Sequence, residues 1–111
     1  MTSPRDDDRI AHMIEACEEA AEFVAGRTIE DLDDDRMLQL ALVKLVEIVG
    51  EAAKSVSAET QARYPDVPWS AAARTRDRLT HHYFEVNLDV LWSTVTESLP
   101  ALLDALRSPA F

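Results

Sequence analysis

Apolar side chains recur every three or four positions through the first 25 residues, which is the spacing of one buried face of an α-helix. The positions on this face are Ile10, Met13, Ile14, Cys17, Ala21 and Val24. Ser3 and Pro4 suit the N-cap and the first helical turn, and Gly26 suits the end of a helix. The pattern therefore predicts a first helix over about 4–25.

The second predicted helix is apolar on almost all sides. It follows an acidic connector over 28–35, which can hold one turn of helix and supply Asp33 or Asp34 as an N-cap. It runs from about 35 to 56, and Met37, Leu40, Val43 and Val46 add apolar positions outside its main buried face. A helix of this kind is buried on nearly all sides, and in so short a chain a second copy would supply the additional partner. Gly50, in its interior, predicts close approach of a neighbouring helix.

Two shorter segments follow the second helix. Ser57 suits the N-cap of a short helical turn, and two prolines at 65 and 68 then exclude a continuous helix. The chain becomes helical again over about 69–82, where basic residues are frequent. This third long helix is called the motif helix below.

The last helix is predicted over about 88–107, with Asn87 as its N-cap and a kink near Pro100. No stretch of the sequence shows the alternation of apolar and polar positions that is typical of a strand. We therefore expect one all-α domain over 1–111. Its predicted architecture is an antiparallel, homodimeric bundle of four long helices plus a short helix.

Composition supports this class and limits the function. The chain has only two glycines among 111 residues, so a glycine-rich phosphate loop is excluded. The formal net charge is −10, and residues 5–35 carry twelve acids against three arginines. Phosphate affinity comes largely from basic side chains. A chain this acidic therefore needs either a local basic cleft or a partner to bind nucleic acid.

The same residues give expectations about compartment and metal. Cys17 is the only cysteine and lies on the apolar face of the first helix, which indicates a buried thiol rather than a nucleophile. No secretion signal is visible and no apolar run approaches the length of a membrane span, so we expect a cytoplasmic protein without a membrane segment. His12 and Glu15 share a helix face, but a single pair of this kind indicates a surface pair, and no metal is expected.

Basic and titratable side chains are concentrated in residues 74–83. This segment contains Arg74, Arg76, Asp77, Arg78, His81, His82 and Tyr83. On an ideal helix Arg76 and Tyr83 share a face, whereas His81 lies about 140° from Arg76. Two arrangements would bring Arg76 and His81 together: unwinding of the helix after Thr80, or pairing of two copies about a two-fold axis.

An arginine and a histidine without metal ligands suit metal-free cleavage of an RNA phosphodiester. Histidine can take a proton from a ribose 2′-hydroxyl or give one to the leaving oxygen. Arginine can bind phosphate oxygens and stabilise the charge that grows in the transition state. The alternative is that these basic groups are solvated and complement the helix dipole. Arg78 and His82, four residues apart, form a rival pair on helix geometry.

The segment 76–83, Arg-Asp-Arg-Leu-Thr-His-His-Tyr, resembles the HepT-like branch of the HEPN ribonuclease superfamily, in which the pattern reads Arg-(Asn/Asp)-x-Leu-x-His-x-Tyr. The flanking segments resemble the same family. They are Ile-Val-Gly-Glu-Ala-Ala at 48–53, Pro-Asp-Val-Pro-Trp at 65–69 and the closing segment at 84–92. The likeness extends over 38–107, in order and with matching gaps.

The resemblance implies a small helical homodimer whose two motif helices form a shared cleft. It further implies a metal-independent endoribonuclease toxin without a cofactor, belonging to a type VII-like toxin–antitoxin pair. The implied antitoxin partner is a minimal nucleotidyltransferase that adds AMP to the motif tyrosine. By position, Arg76 and His81 are then the catalytic pair, Asp77 supports them and Tyr83 accepts AMP. Further candidates for contact with RNA or with the cleft are Arg74, Arg78, His82 and Glu51.

The sequence departs from the family at three points. The run Ala72-Ala73-Arg74-Thr75-Arg76 stands where the family often has a glycine just before Met-Arg, and Asn87 stands where the family usually has aspartate. In addition, His82 beside His81 leaves open which histidine acts.

A second function is also compatible with the residues: a non-catalytic helical dimer that binds a nucleotidyltransferase or another protein. Arg74, Arg76 and Arg78 from both chains of the dimer lining one groove would favour RNA, and arginines on separate surfaces would favour the binding module.

Overall fold

The computed structural model describes the backbone of residues 4–82 and 85–110 and the side chains of 5–79 and 86–110. In chain order the helices are α1 (Pro4–Val24), α2 (Ile29–Asp33), α3 (Arg36–Ser55), α4 (Ala58–Ala62), α5 (Trp69–Ala73), α6 (Thr75–Leu79), α7 (Leu88–Ser93) and α8 (Leu99–Leu106). A π-helical turn, Thr94–Ser98, joins α7 to α8. The all-α class is confirmed, and none of the helices described is long and apolar enough to cross a membrane.

The first helix ends where the sequence predicts. Gly26 adopts a φ of 73°, in the left-handed region that glycine occupies without steric cost, and the amide of Arg27 donates to the carbonyl of Val24 over 2.9 Å. The predicted N-cap, Ser3, lies outside the described residues. Pro4 is the first helical residue, as expected.

Thr28 and Asp31 cap the predicted turn of helix in the connector, α2, through a reciprocal capping box. The N-cap of α3 is Asp35 rather than Asp33 or Asp34, so that prediction was wrong. Asp33 still belongs to α2 and Asp34 keeps helical backbone angles. Asp35 is the residue that becomes extended, and its carboxylate accepts a hydrogen bond from the Leu38 amide over 3.0 Å.

The hydrophobic core forms where α1 packs against α3 and α8, and where α5 packs against α3. Met13, Leu42, Val49, Leu91 and Val95 are among its fully or almost fully buried side chains. This arrangement makes α3 the central helix of the chain, as its apolar pattern predicts.

Not every apolar residue of α3 is covered within one chain. Val46, outside the main predicted face, is fully buried, whereas Met37 and Leu40 are 82% and 53% exposed. The exposed pair lies near the start of α3, one turn apart. The need for an additional partner is therefore limited to this end of the helix.

Gly50 lies where α3 meets α5. A Cβ atom at this position would stand 3.4 Å from the carbonyl oxygen of Ala73 and 3.5 Å from that of Ala72. The predicted close approach is confirmed, and the neighbour is the backbone of α5. The motif segment, which is the chain over 69–82, is thereby held by α5 against the C-terminal half of the central helix.

The prediction of one continuous motif helix over 69–82 was wrong, because the helix is interrupted and ends earlier. Arg74 separates α5 from α6, and α6 stops at Leu79. The hydroxyl of Thr75 donates to the carbonyls of Ala71 and Ala72 at 2.9 and 3.0 Å, and such back-bonding competes with regular helix. The bundle therefore has three long helical segments, α1, α3 and the α7–α8 segment, while the fourth is divided.

A short antiparallel ladder replaces the end of the motif helix. Strand β1 (Thr80–His82) pairs with β2 (Glu85–Val86), and the Asn87 amide donates to the Leu79 carbonyl over 2.6 Å. The backbone thus leaves the helix at Thr80, which corresponds to the first of the two arrangements considered for Arg76 and His81. The ladder is too short to change the all-α class.

The last helical segment begins at the predicted cap. The side chain of Asn87 accepts a hydrogen bond from the Val90 amide over 3.1 Å. The irregularity expected near Pro100 is a π-helical turn immediately before it, in which the Leu99 amide donates to the Thr94 carbonyl. Pro100 has no amide hydrogen to continue the regular i to i−4 pattern. The i to i−5 hydrogen bond of the preceding residue, Leu99, is consistent with a proline at this point.

Candidate functional site

Arg76 pairs with Glu47 across the interface between α6 and α3. The Arg76 Nε atom lies 2.9 Å from the Glu47 Oε1 atom, and the two side chains are 52% and 29% exposed. This hydrogen bond and the carboxylate charge raise the pKa of Arg76 above its usual value, so the guanidinium is always charged. In the described part of the chain, its two terminal nitrogens have no hydrogen-bond partner.

The pair lies in an open cleft between α1, α3 and α6, with a volume of about 560 Å³. Its charged and titratable lining residues are Arg9, His12, Lys44, Glu47, Glu51 and Arg76. Glu51, a candidate cleft residue from the sequence, is thus in the same cleft as Arg76. We call this the Arg76 cleft.

Arg9 is fixed at one end of the Arg76 cleft. Its Nη1 atom donates to the backbone carbonyl of Ser55 at 2.8 Å and lies 3.2 Å from the Asp6 carboxylate. Asp6 is buried and also accepts hydrogen bonds from the hydroxyls of Ser57 and Thr60 at 2.6 and 2.8 Å. The hydroxyl of Ser57, followed by that of Thr60, lowers the pKa of Asp6 to about 2. This cluster ties the start of α1 to the end of α3.

The other described residues of the motif do not share the Arg76 cleft. Arg74 and Asp77 are exposed, and neither lines it. Arg78 lines a second cleft of about 330 Å³, between the α5–α6 segment and the residues around Ser98. In a single chain the three motif arginines therefore face separate surfaces. Arginines on separate surfaces of one chain are an arrangement that a binding module would also have.

The motif histidines and tyrosine cannot be placed against Arg76. The backbone of His81 and His82 forms β1, but their side chains lie outside the described residues, and so does the whole of Tyr83. The predicted pairing of Arg76 with His81, the rival pairing of Arg78 with His82 and the role of Tyr83 all remain predictions.

Sequence reasoning missed Arg9, His12 and Lys44 as residues of the Arg76 cleft. A polar stripe runs along the otherwise apolar α3 and consists of Lys44, Glu47, Glu51 and Lys54. Glu47 pairs not with a lysine of this stripe but with Arg76, 29 residues away. The stripe itself was the available signal, because polar residues on an otherwise buried helix mark where it faces solvent. The stripe does not show which turn of α1 lies beside it, because that depends on how the two helices pack.

Two other predictions have an outcome. Cys17 is buried, and burial raises the pKa of its thiol to about 12, so it is no nucleophile at neutral pH. His12 and Glu15 do lie beside a common surface cleft. Among the residues that the structure describes, no three His, Cys, Asp or Glu side chains are grouped as a metal site.

The fold and the Arg76 cleft define a small all-helical protein with a partly cationic groove on its central helix. Residues 13–108 match the family described as ribonuclease HepT-like, and the chain belongs to this family. The likeness seen in 38–107 is thereby confirmed, and the match also includes the second half of α1 and the whole of α2.

Curated relatives agree with this membership. A protein of Thermococcus cleftensis named as a probable ribonuclease HepT is 39% identical over 95 residues, which cover 86% of each chain. A provisionally named RNase of Caldanaerobacter subterraneus is 37% identical over 102 residues, covering 92% of this chain and 89% of its own. Another, from Methanocaldococcus jannaschii, is 32% identical over 99 residues, covering 87% and 82%. No solved structure was found to match.

Proposed function

We propose that this protein is a metal-independent endoribonuclease that cleaves RNA at a site built around Arg76 and His81. One observation carries the proposal. The guanidinium of Arg76 is charged and, among the described residues, its terminal nitrogens are free to bind a phosphate, in a chain that belongs to the ribonuclease HepT-like family. Glu47 holds its guanidinium by Nε at the edge of the cleft. The terminal nitrogens are left to bind two oxygens of one phosphate.

The proposed reaction is an attack by the ribose 2′-oxygen on the adjacent phosphorus. His81 takes the 2′-hydroxyl proton, the bond from phosphorus to the 5′-oxygen breaks, and that oxygen takes a proton from water or from the protonated His81 as it leaves. Arg76 stabilises the negative charge on the phosphate oxygens during this step. Asp77, next to Arg76 in the chain, supports the site, and the end of α6 at Leu79 frees the backbone at His81 from helix geometry.

The test is cleavage of a labelled single-stranded RNA by the purified protein in the presence of a metal chelator. We expect cleavage by the wild-type chain and loss of at least about 100-fold in rate for His81→Ala, because general acid–base groups contribute on this order. His82→Ala is the matched control and should retain activity. Full activity of His81→Ala with loss in His82→Ala would move the role to the second histidine.

We further propose that the protein is a cytoplasmic toxin whose antitoxin is a minimal nucleotidyltransferase. Tyr83 follows β1 directly and is the proposed acceptor of AMP. An added AMP group would bring negative charge and bulk to a site that binds phosphate, and would oppose RNA binding. Coexpression with the neighbouring nucleotidyltransferase gene should add the mass of AMP to the wild-type chain but not to Tyr83→Phe. Addition to both proteins would move the modification elsewhere.

A second candidate function is a non-catalytic binding module. The separate clefts of Arg76 and Arg78 and the net charge of −10 favour this alternative. Such a module would bind the nucleotidyltransferase without cleaving RNA. It predicts that the wild-type chain leaves RNA intact in the cleavage assay while still forming a complex with its partner.

A further inference from the structure

We propose that a single strand of RNA lies along α3 in the Arg76 cleft. One phosphate binds Arg76, and the flanking phosphates bind Lys44 at one end and Arg9 at the other. The inference rests on the proposed ribonuclease function and extends its site from one arginine to a track for several nucleotides. Neither Lys44 nor Arg9 belongs to the sequence motif.

The three cations are spread along one side of the central helix. Lys44 precedes Glu47, the partner of Arg76, by one helical turn. Ser55, whose carbonyl binds Arg9, follows Glu47 by about two turns. The eleven steps from 44 to 55 correspond to about 16 Å along the helix axis. A strand of a few nucleotides therefore has a positive charge near each end and one near the middle.

The charges of the Arg76 cleft suit such a strand. Lys44 is exposed, and in the described part of the chain it forms no ion pair, so its ammonium is available to a phosphate. Arg9 is held by Asp6 and Ser55, which fixes its position before any ligand arrives. Three cations and two carboxylates line this groove, whereas the chain as a whole has a net charge of −10.

The remaining lining residues fit the parts of a nucleotide that are not phosphate. Glu51, one turn after Glu47, can accept a hydrogen bond from a ribose 2′-hydroxyl or a base amino group. His12 is exposed on the α1 side of the cleft, and a base can stack on an imidazole ring. Stacking and base-edge contacts need unpaired bases, so the ligand we infer is single-stranded RNA rather than a duplex.

The chain provides a matched pair of variants for the test. It has two lysines, Lys44 and Lys54, both exposed and both in α3, but only Lys44 lines the Arg76 cleft. Affinity for a fluorescent single-stranded RNA would be measured over a range of salt concentrations, in a His81→Ala background that prevents cleavage. Thermal unfolding would show that each variant keeps the fold.

We expect Lys44→Ala to weaken RNA binding about 5- to 10-fold at low salt. It should also reduce the slope of log affinity against log salt by about 0.7, the loss of one phosphate contact on a single strand. Lys54→Ala should leave both values unchanged within 2-fold, and Lys44→Arg should restore binding. A duplex of the same sequence should compete poorly.

If Lys44→Ala and Lys54→Ala have the same RNA affinity and salt dependence while the wild-type chain still cleaves RNA, the proposed RNA track is wrong and the ribonuclease proposal stands. Tight binding of the duplex would also overturn it. If the wild-type chain neither binds nor cleaves RNA, the proposed function fails and the track fails with it.

Discussion

At the scale of single residues, the hydrogen bond between Arg76 Nε and Glu47 decides what the site can do. A carboxylate bound to Nε fixes the plane of the guanidinium, and it leaves the two terminal nitrogens as a fork that matches two phosphate oxygens. Because both side chains are partly exposed, the pair contributes little to stability, and its value is in orientation.

Replacing Glu47 tests this orientation. We expect Glu47→Ala to lower the RNA cleavage rate roughly 10- to 100-fold, since a misplaced phosphate-binding group costs on this order. Glu47→Gln should retain more activity, because its amide oxygen can still accept the Nε hydrogen bond. The control is Glu30→Ala, an exposed glutamate of α2. If Glu47→Ala cleaves faster than the wild-type chain, Glu47 competes with phosphate instead of positioning Arg76.

The buried carboxylate of Asp6 gives a second prediction at this scale. Its pKa is about 2 in the folded protein against an ordinary 3.8, so its stabilising effect is present above pH 4 and is lost as the pH falls towards 2. Thermal unfolding of Asp6→Asn should occur several degrees below that of the wild-type chain at pH 7. This difference should shrink between pH 4 and pH 2.

Asp7→Asn is the control for Asp6, because Asp7 is exposed in the same first turn of α1 and makes the same change of charge. A constant difference between Asp6→Asn and wild type down to pH 2 would show that Asp6 is not the titrating group.

Residue types and spacing singled out Arg76 and Glu51, which line one cleft. They also singled out three residues that do not line it, namely Arg74, Asp77 and Arg78. Arg9 and Lys44 were missed because they reach the cleft from separate helices. A helical pattern shows which side of α1 and α3 is polar, but not which turns face each other.

At the scale of elements, the contact between α3 and α5 holds the motif segment in place. Gly50→Ala puts its Cβ at ordinary contact distance from the carbonyls of Ala72 and Ala73, and alanine favours helix. We expect the free energy of unfolding of this variant to equal that of the wild-type chain or to exceed it by up to about 1 kcal/mol. Gly50→Leu has no room beside α5 and should lose about 1–3 kcal/mol.

Chemical denaturation of the two variants measures both changes. The same stability for Gly50→Leu as for Gly50→Ala would show that α5 does not approach α3 closely in solution. A loss of RNA cleavage in Gly50→Leu beyond its loss of stability would show that displacing α5 moves Arg76.

Elements differ in how well the sequence predicts them. Helix α1, the last helical segment and the caps Ser57 and Asn87 follow from periodicity and capping chemistry. At the break at Arg74, the hydroxyl of the next residue, Thr75, donates to the carbonyls of Ala71 and Ala72, and an apolar pattern does not record such hydrogen bonds. Strands of two or three residues are also too short to show an alternation.

At the scale of the whole molecule, the exposed end of α3 predicts self-association. Met37 and Leu40 are one turn apart and largely exposed, and large apolar side chains at such positions favour an interface. If two copies meet there, the double substitution Met37→Glu with Leu40→Glu should raise the dimer dissociation constant at least about 10-fold. Light scattering coupled to gel filtration would measure the change in mass.

Phe23→Glu is the control for this prediction, because Phe23 is also an exposed apolar residue, but on α1. It should leave the mass unchanged. A wild-type chain that is monomeric at high concentration would contradict the proposed homodimer, and a double variant that stays dimeric would place the interface elsewhere.

The central claim is that Arg76 serves metal-free RNA cleavage, and the most direct test compares the cleavage rates of two arginine variants in a chelator. Arg36 is the control, since it is exposed near the start of α3 and bonds only to Gln39 among the described residues. We predict that the wild-type chain and Arg36→Ala cleave RNA at the same rate, and that Arg76→Ala is at least about 100-fold slower while keeping its fold. Equal rates for the two variants, or intact RNA with the wild-type chain, would contradict the claim.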